Sequence, residues 1–163
     1  MKTLLLLRHA KSSWDEPGID DHDRPLKKRG RRDAPAMGQL IREQDLRPEC
    51  IISSTARRAR ETTELVSEAC GYTSTPQFSG EIYEAPPERY LSVLHQLPNA
   101  MTRILVVGHN PGMEELLEGL TGQGIHMPTA ALAQLELPID SWQELTASTK
   151  ARLVHFWIPK ELA

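Results

Sequence analysis

Apolar residues recur along this chain in two rhythms, as short unbroken runs and as longer stretches spaced by three and four. Residues 3–7 form a near-continuous apolar run of the kind that marks a strand buried on both faces of a parallel sheet. Residues 50–52 and 103–107 give two more such strands. Residues 131–137 and 152–158 also read as strands, the last at a sheet edge and closed by Pro159. Between them, residues 29–44 carry Ala34, Met37, Leu40 and Ile41 at helical spacing, with Pro35 predicting a kink or a late start. The stretch "SSTARRARETTELVSEACG" reads as a loop and then a helix. That helix turns Ala59, Thr62, Leu65, Val66 and Ala69 inward and ends at Gly71. Residues 88–97 predict a helix stopped by Pro98, and "GHNPGMEELLEGLTG" turns from a strand end into another. Alternating β and α elements predict one α/β domain over residues 1–163, a mainly parallel sheet covered by helices on both faces. The sequence holds no internal repeat, low-complexity tract or Gly/Ser linker.

Composition narrows the classes of function. With 39% hydrophobic and 25% charged residues, the chain has the balance of a folded globular protein. The run Leu4 to Leu7 is too short to span a bilayer or to form a signal-peptide core, so no membrane association and a cytoplasmic location are expected. Cys50 and Cys70 lack metal or redox spacing and read as reduced thiols near the core. A net charge of −3 argues against a nucleic-acid partner, and the basic run Lys27, Lys28, Arg29, Arg31 and Arg32 reads as the solvated first turns of a helix.

The chemistry gathers where the predicted strands end. Arg8-His9, Ser53-Ser54 and Gly108-His109-Asn110 each follow a strand's C-terminal end, the side of an open α/β sheet where ligands bind. One crevice would then hold two imidazoles, Arg8, and one or more of Arg57, Arg58 and Arg60. Guanidinium forks match phosphate oxygens through paired hydrogen bonds. For Arg57 and Arg60 the alternative is ion pairing with Glu61 or Glu64. Asn110-Pro111-Gly112 opens a helix, with Pro111 suited to its first position and the free N–H groups suited to an anion. No Gly-rich Walker loop is present. Asp20, Asp21, His22 and Asp23 are metal-ligand types. Being consecutive, they cannot all converge on one ion, and a solvated loop is expected. The pattern therefore calls for no metal and no other cofactor.

"LLLLRHAKSSW", "DRPLKKRG", "SSTARRARETT" and "VVGHNPG" resemble the histidine phosphatase superfamily, most closely its small SixA-type phosphohistidine phosphatases. The likeness runs in order over about residues 2–137. Arg8-His9-Ala10 stands where the superfamily has Arg-His-Gly. The resemblance implies a phosphoglycerate mutase-like fold, a three-layer α/β/α sandwich on a central, mostly parallel sheet. It makes His9 the nucleophile that accepts the phosphoryl group and Arg8 a clamp on phosphate oxygens. The second-motif arginine is Arg58 if Ser54 and Thr62 hold their family positions, and Arg57 if the register slips by one. His109, with Asn110 beside it, completes the phosphate pocket, and Arg24 matches a substrate-side arginine. For the general acid, Glu81 is the better positional match and Glu84 the alternative. A phosphohistidine can also protonate its own ring and need neither. The implied substrate is a phosphohistidine-bearing protein or a small phosphorylated compound. The competing readings are a small-molecule phosphomonoesterase or mutase on the same scaffold, a metal-dependent hydrolase, and a non-catalytic phosphate-binding module. The chain lacks the long insertions that form a lid in larger members.

Overall fold

Leu4 and Leu6 pack into one hydrophobic core and Leu5 and Leu7 into a second, so the leucine run shows no polar alternation. The computed structural model describes residues 1–162. The elements follow in the order β1 (Lys2–Arg8), α1 (Lys28–Glu43), β2 (Cys50–Ser54), α2 (Arg57–Cys70), β3 (Gln77–Ser79), α3 (Pro87–Leu94), β4 (Arg103–Gly108), α4 (Gly112–Thr121), β5 (Leu132–Leu137) and β6 (Arg152–Trp157). The sheet order is β3-β2-β4-β1-β5-β6. The four strands from β3 to β1 pair in parallel, and β5 runs antiparallel to both β1 and β6.

Two helices cover each face. Ala34, Met37 and Ile41 of α1 join Ala59 and Val66 of α2 against Leu5, Leu7 and Val107. Tyr90 and Leu94 of α3 join Met113 and Leu117 of α4 against Leu4, Leu6 and Val106. The result is the expected α/β/α sandwich on a mostly parallel sheet. Gly38 lets α1 lie close to α2, because a Cβ there would come within 2.6 Å of the Ala69 Cβ. Cys50 and Cys70 are free and buried. No described helix is long and apolar enough to cross a membrane.

The elements depart from the sequence pattern at identifiable points. Helix α1 starts at Lys28 with Pro35 inside it, so the proline does not delay the helix. Helix α3 ends at Leu94 rather than at residue 97. Gln96 N–H and Leu97 N–H reach back only three residues, to Val93 and Leu94, which tightens the last turn. Strand β3 was not predicted. It is a three-residue edge strand with two exposed positions, too short and too polar to show a period. The basic run from Lys27 to Arg32 is exposed apart from Gly30, as expected for a solvated helix start.

Candidate active site

Sheet register brings the two motif histidines together. Arg8 pairs with Gly108 across the parallel strands β1 and β4, so the next residue of each chain segment lies at the same level. The His9 amide donates to the Gly108 carbonyl at 3.0 Å, and the His9 and His109 rings lie 5.1 Å apart. Both residues are buried, 6% and 4% exposed. His9 Nδ1 lies 2.8 Å from the Ala10 carbonyl oxygen. A carbonyl only accepts, so Nδ1 carries the proton and Nε2 keeps its lone pair. Burial drives the His9 pKa well below its ordinary value, and the neighbouring His109, Arg58 and Arg8 act in the same direction. His9 is therefore a neutral imidazole at neutral pH.

The donors around it are held from behind. Arg8 Nη1 donates to the Met127 carbonyl at 3.0 Å. Arg58 Nη1 donates to the Asp21 backbone carbonyl at 2.8 Å, and Nη2 to the Asp21 carboxylate at 3.1 Å. His109 Nε2 meets the Ser54 hydroxyl at 2.7 Å. Arg8 Nε, Arg58 Nε and His109 Nδ1 are buried without a hydrogen-bond partner. Burial pulls the His109 pKa down to about 3, helped by Arg58 and opposed by Asp21. Two guanidinium N–H donors thus remain free near a neutral imidazole, with His109 Nδ1 also unpartnered, an arrangement suited to a tetrahedral anion. The backbone at His109 is fixed by the buried Tyr90 hydroxyl, which accepts the His109 N–H at 3.1 Å. Any side chain at position 108 would run into the Tyr90 ring, which explains Gly108.

In the segment Asp20 to Asp23, Asp20 and Asp23 are exposed as expected of a solvated loop, but Asp21 and His22 are half-buried. The segment's 3₁₀ turn, Asp21–Asp23, docks on the cluster. The Asp21 carboxylate accepts from Tyr83 Oη, from Arg24 Nε at 3.0 Å and from Arg58 Nη2 at 3.1 Å. His22 Nε2 meets Thr55 Oγ1 at 2.9 Å. Burial works to raise the Asp21 pKa, but the Tyr83 hydrogen bond and the two arginines outweigh it and hold the carboxyl well below the ordinary range. The Tyr83 ring stands edge-on to both His22 and His109, at 4.9 and 5.6 Å. Burial, then the Asp21 hydrogen bond and charge, raise its hydroxyl pKa to about 12. Among the described residues no group of three or more His, Cys, Asp and Glu is arranged to hold a metal ion.

The remaining candidates divide between the cluster and its surroundings. Arg58 faces inward with its side chain 5% exposed, whereas Arg57 is 46% exposed and ion-paired with Glu61 at 3.2 Å. Arg24 is buried and two of its three nitrogens are committed, Nη1 to Ser12 Oγ and the Ser13 carbonyl and Nε to Asp21, with Trp14 stacked over its guanidinium at 3.5 Å. Asn110 Nδ2 shares the Met127 carbonyl with Arg8, at 2.9 Å. Pro111 caps α4 rather than occupying its first turn, and the helix begins at Gly112. Glu81 is not brought to the cluster. It is exposed and lines a cleft with Gln77, Phe78 and Val93 at the sheet's β3 edge. Glu84 lines a different cleft, of about 420 Å³, with Asn110, Pro111 and Gly112.

In the sequence Asp21 stands out only as a metal-ligand type, and Tyr83 carries no signal of a site role. Tyr83 stands between the two glutamates that drew attention, and its apolar neighbour Ile82 anchors its turn in the core at 0% exposure.

Comparison with known proteins agrees with this geometry. A family model described as histidine phosphatase superfamily (branch 1) matches residues 4–77. An uncharacterised chloroplastic protein of Arabidopsis thaliana is 35% identical over 156 residues, covering 90% of this chain and 71% of that protein. A crystal structure from Agrobacterium tumefaciens, provisionally described as the phosphohistidine phosphatase SixA, is 33% identical. It superposes with a TM-score of 0.83 over 97% of this chain and 98% of that one. The structure of a protein histidine phosphatase SixA complexed with tungstate shares the fold at 22% identity, with a TM-score of 0.84 and 99% of both chains covered.

Proposed function

The chain belongs to the histidine phosphatase superfamily, and from that premise we propose that it is a phosphohistidine phosphatase working through a phosphorylated His9. One observation carries the reading. The Ala10 carbonyl fixes the His9 proton on Nδ1 and leaves the Nε2 lone pair free on a ring neighboured by Arg8, Arg58 and His109, each with a buried, unpartnered nitrogen. Neutral imidazole is a good nucleophile, and phosphoryl transfer asks mainly for positioning and charge neutralisation. Arg8, Arg58 and His109 supply both, with Asn110 and Arg24 supporting them from behind.

In the first step the Nε2 lone pair attacks phosphorus in line, a P–Nε2 bond forms, and the substrate's P–N bond breaks with its electron pair passing to the departing imidazole. In the second step water attacks the phosphorus, the P–Nε2 bond breaks, and inorganic phosphate leaves as His9 is restored. Departure as a neutral imidazole needs no strong acid when the substrate ring already carries a proton on its other nitrogen. This fits the exposed position of Glu81, and it favours an N-linked phosphate over an alkyl ester. The same reading includes catalysis without a resident metal, a phosphohistidine-bearing protein as partner, and a cytoplasmic location that suits two free buried thiols.

Release of inorganic phosphate from a panel of phosphohistidine proteins, phosphoimidazole and small phosphate esters tests it, with His9→Ala as the control. Preference for the N-linked members supports the reading. Preference for one small ester by a large margin would instead make the protein a small-molecule phosphomonoesterase.

A further inference from the structure

The phosphate pocket contains a carboxylate at its edge, and an anion beside a phosphate site is a liability unless it serves the other end of the substrate. Asp21 is that carboxylate. It is bonded to Arg58 and lies within electrostatic reach of His109. An ionised carboxylate offers about four lone-pair positions. Tyr83 and Arg58 occupy Oδ2 and Arg24 occupies Oδ1, so Oδ1 keeps one acceptor direction open, and the side chain is 34% exposed.

We propose that Asp21 selects the leaving group: its open Oδ1 direction accepts a hydrogen bond from the protonated ring nitrogen of an N-phosphorylated imidazole. The proposal rests on the phosphohistidine reading above. Two arginines and a tyrosine hold Asp21 as an anion, so it cannot donate a proton to an alkoxide. It can stabilise a ring N–H that already carries positive charge. A protonated phosphoimidazole expels neutral imidazole when the P–N electron pair moves onto the departing nitrogen, and the proton stays where Asp21 holds it. The bound substrate is thereby kept in its reactive form at pH values where the free ring has lost that proton. An ester has no such N–H and meets only the negative charge. The same side chain that braces Arg58 would then discriminate N-linked from O-linked phosphate.

The test is the ratio of kcat/KM for phosphoimidazole to kcat/KM for p-nitrophenyl phosphate, measured at pH 8 in wild type, Asp21→Asn and Asp21→Glu. Both substrates see the same enzyme, so the ratio is insensitive to the fraction of each variant that is folded. Asp21→Asn should lower the ratio by about tenfold or more, the scale of one charge-assisted hydrogen bond, while Asp21→Glu should keep it within about threefold of wild type. Equal losses on the two substrates in Asp21→Asn would overturn the inference and leave Asp21 as a brace for Arg58, with the phosphohistidine reading intact. A wild-type enzyme that releases phosphate from the ester but not from phosphoimidazole or phosphohistidine would overturn both.

Discussion

Thr62 joins the strand of the nucleophile to the helix of the second arginine: its hydroxyl accepts the Ala10 N–H at 3.0 Å and donates to the Arg58 carbonyl at 2.7 Å. Ala10 directly follows His9, and its own carbonyl sets the His9 tautomer. One fully buried hydroxyl therefore fixes the spacing between the imidazole and the Arg58 guanidinium. Thr62→Val keeps the shape and removes both bonds, stranding the Ala10 N–H. The variant should lose about 1–3 kcal/mol in urea denaturation, with a several-fold drop in kcat. Unchanged stability and turnover would mean that the link carries nothing.

Arg58 and Arg57 are neighbours on α2, and helical geometry turns them about 100° apart. Only Arg58 reaches the cluster. Arg58→Ala should lower turnover of a small phosphorylated substrate by at least about tenfold, the loss typical of one preorganised donor. Arg57→Ala, which breaks an exposed pair with Glu61, should stay within about twofold on the same substrate. Steady-state kinetics on the two variants decides the register, and a reversed order would make Arg57 the second-motif arginine.

Acid should destabilise the protein through its two buried histidines. His9 and His109 are neutral when folded, their pKa values lowered by burial, that of His109 to about 3. In the unfolded chain both return to about 6.5, so below that pH the unfolded state binds more protons and stability falls as pH drops from 6.5 toward 3. At pH 5 His109 alone removes about 2 kcal/mol relative to neutral pH. The depressed Asp21 carboxyl adds a further loss below the ordinary carboxylate range. Denaturation of wild type and His109→Asn at pH 7 and pH 5 should show the smaller acid loss in the variant. Equal losses would mean that His109 titrates normally.

Turnover should survive chelation. The cluster has two unpartnered guanidinium N–H donors for phosphate, and the Asp20–Asp23 segment commits Asp21 to arginine and tyrosine donors rather than to an ion. Enzyme dialysed against excess chelator should keep its initial rate within about twofold. Loss of activity, restored by one divalent ion, would favour the metal-dependent hydrolase.

The core of the site was legible because buried parallel strands write themselves as apolar runs and end abruptly. Leu4–Leu7 and 104–107 announce β1 and β4, and Arg8, His9 and His109 follow at their tips. Arg58 was legible through its spacing from Ser54 and Thr62. Asp21 and Tyr83 were not, since the bond between them spans 62 positions and both lie in 3₁₀ turns or loops without period. Four consecutive ligand types in Asp20–Asp23 argued for a solvated loop, yet Arg24 and Arg58 bind Asp21 to the cluster. Glu81 follows the C-terminal end of the short β3 strand, but its side chain is exposed and lines the cleft with Gln77 and Phe78, an orientation that a three-residue strand without a period could not signal.

The central claim is that the phosphoryl group passes through His9 Nε2. Rapid acid-free quenching of the enzyme with phosphoimidazole, followed by peptide mass spectrometry, measures this most directly. The account predicts a phosphorylated peptide containing His9 that forms and decays within the turnover time, is labile to acid, and is absent in His9→Ala, which should also be inactive. Turnover in His9→Ala within a few-fold of wild type, or a phosphorylated residue elsewhere that meets the same kinetic test, would contradict it.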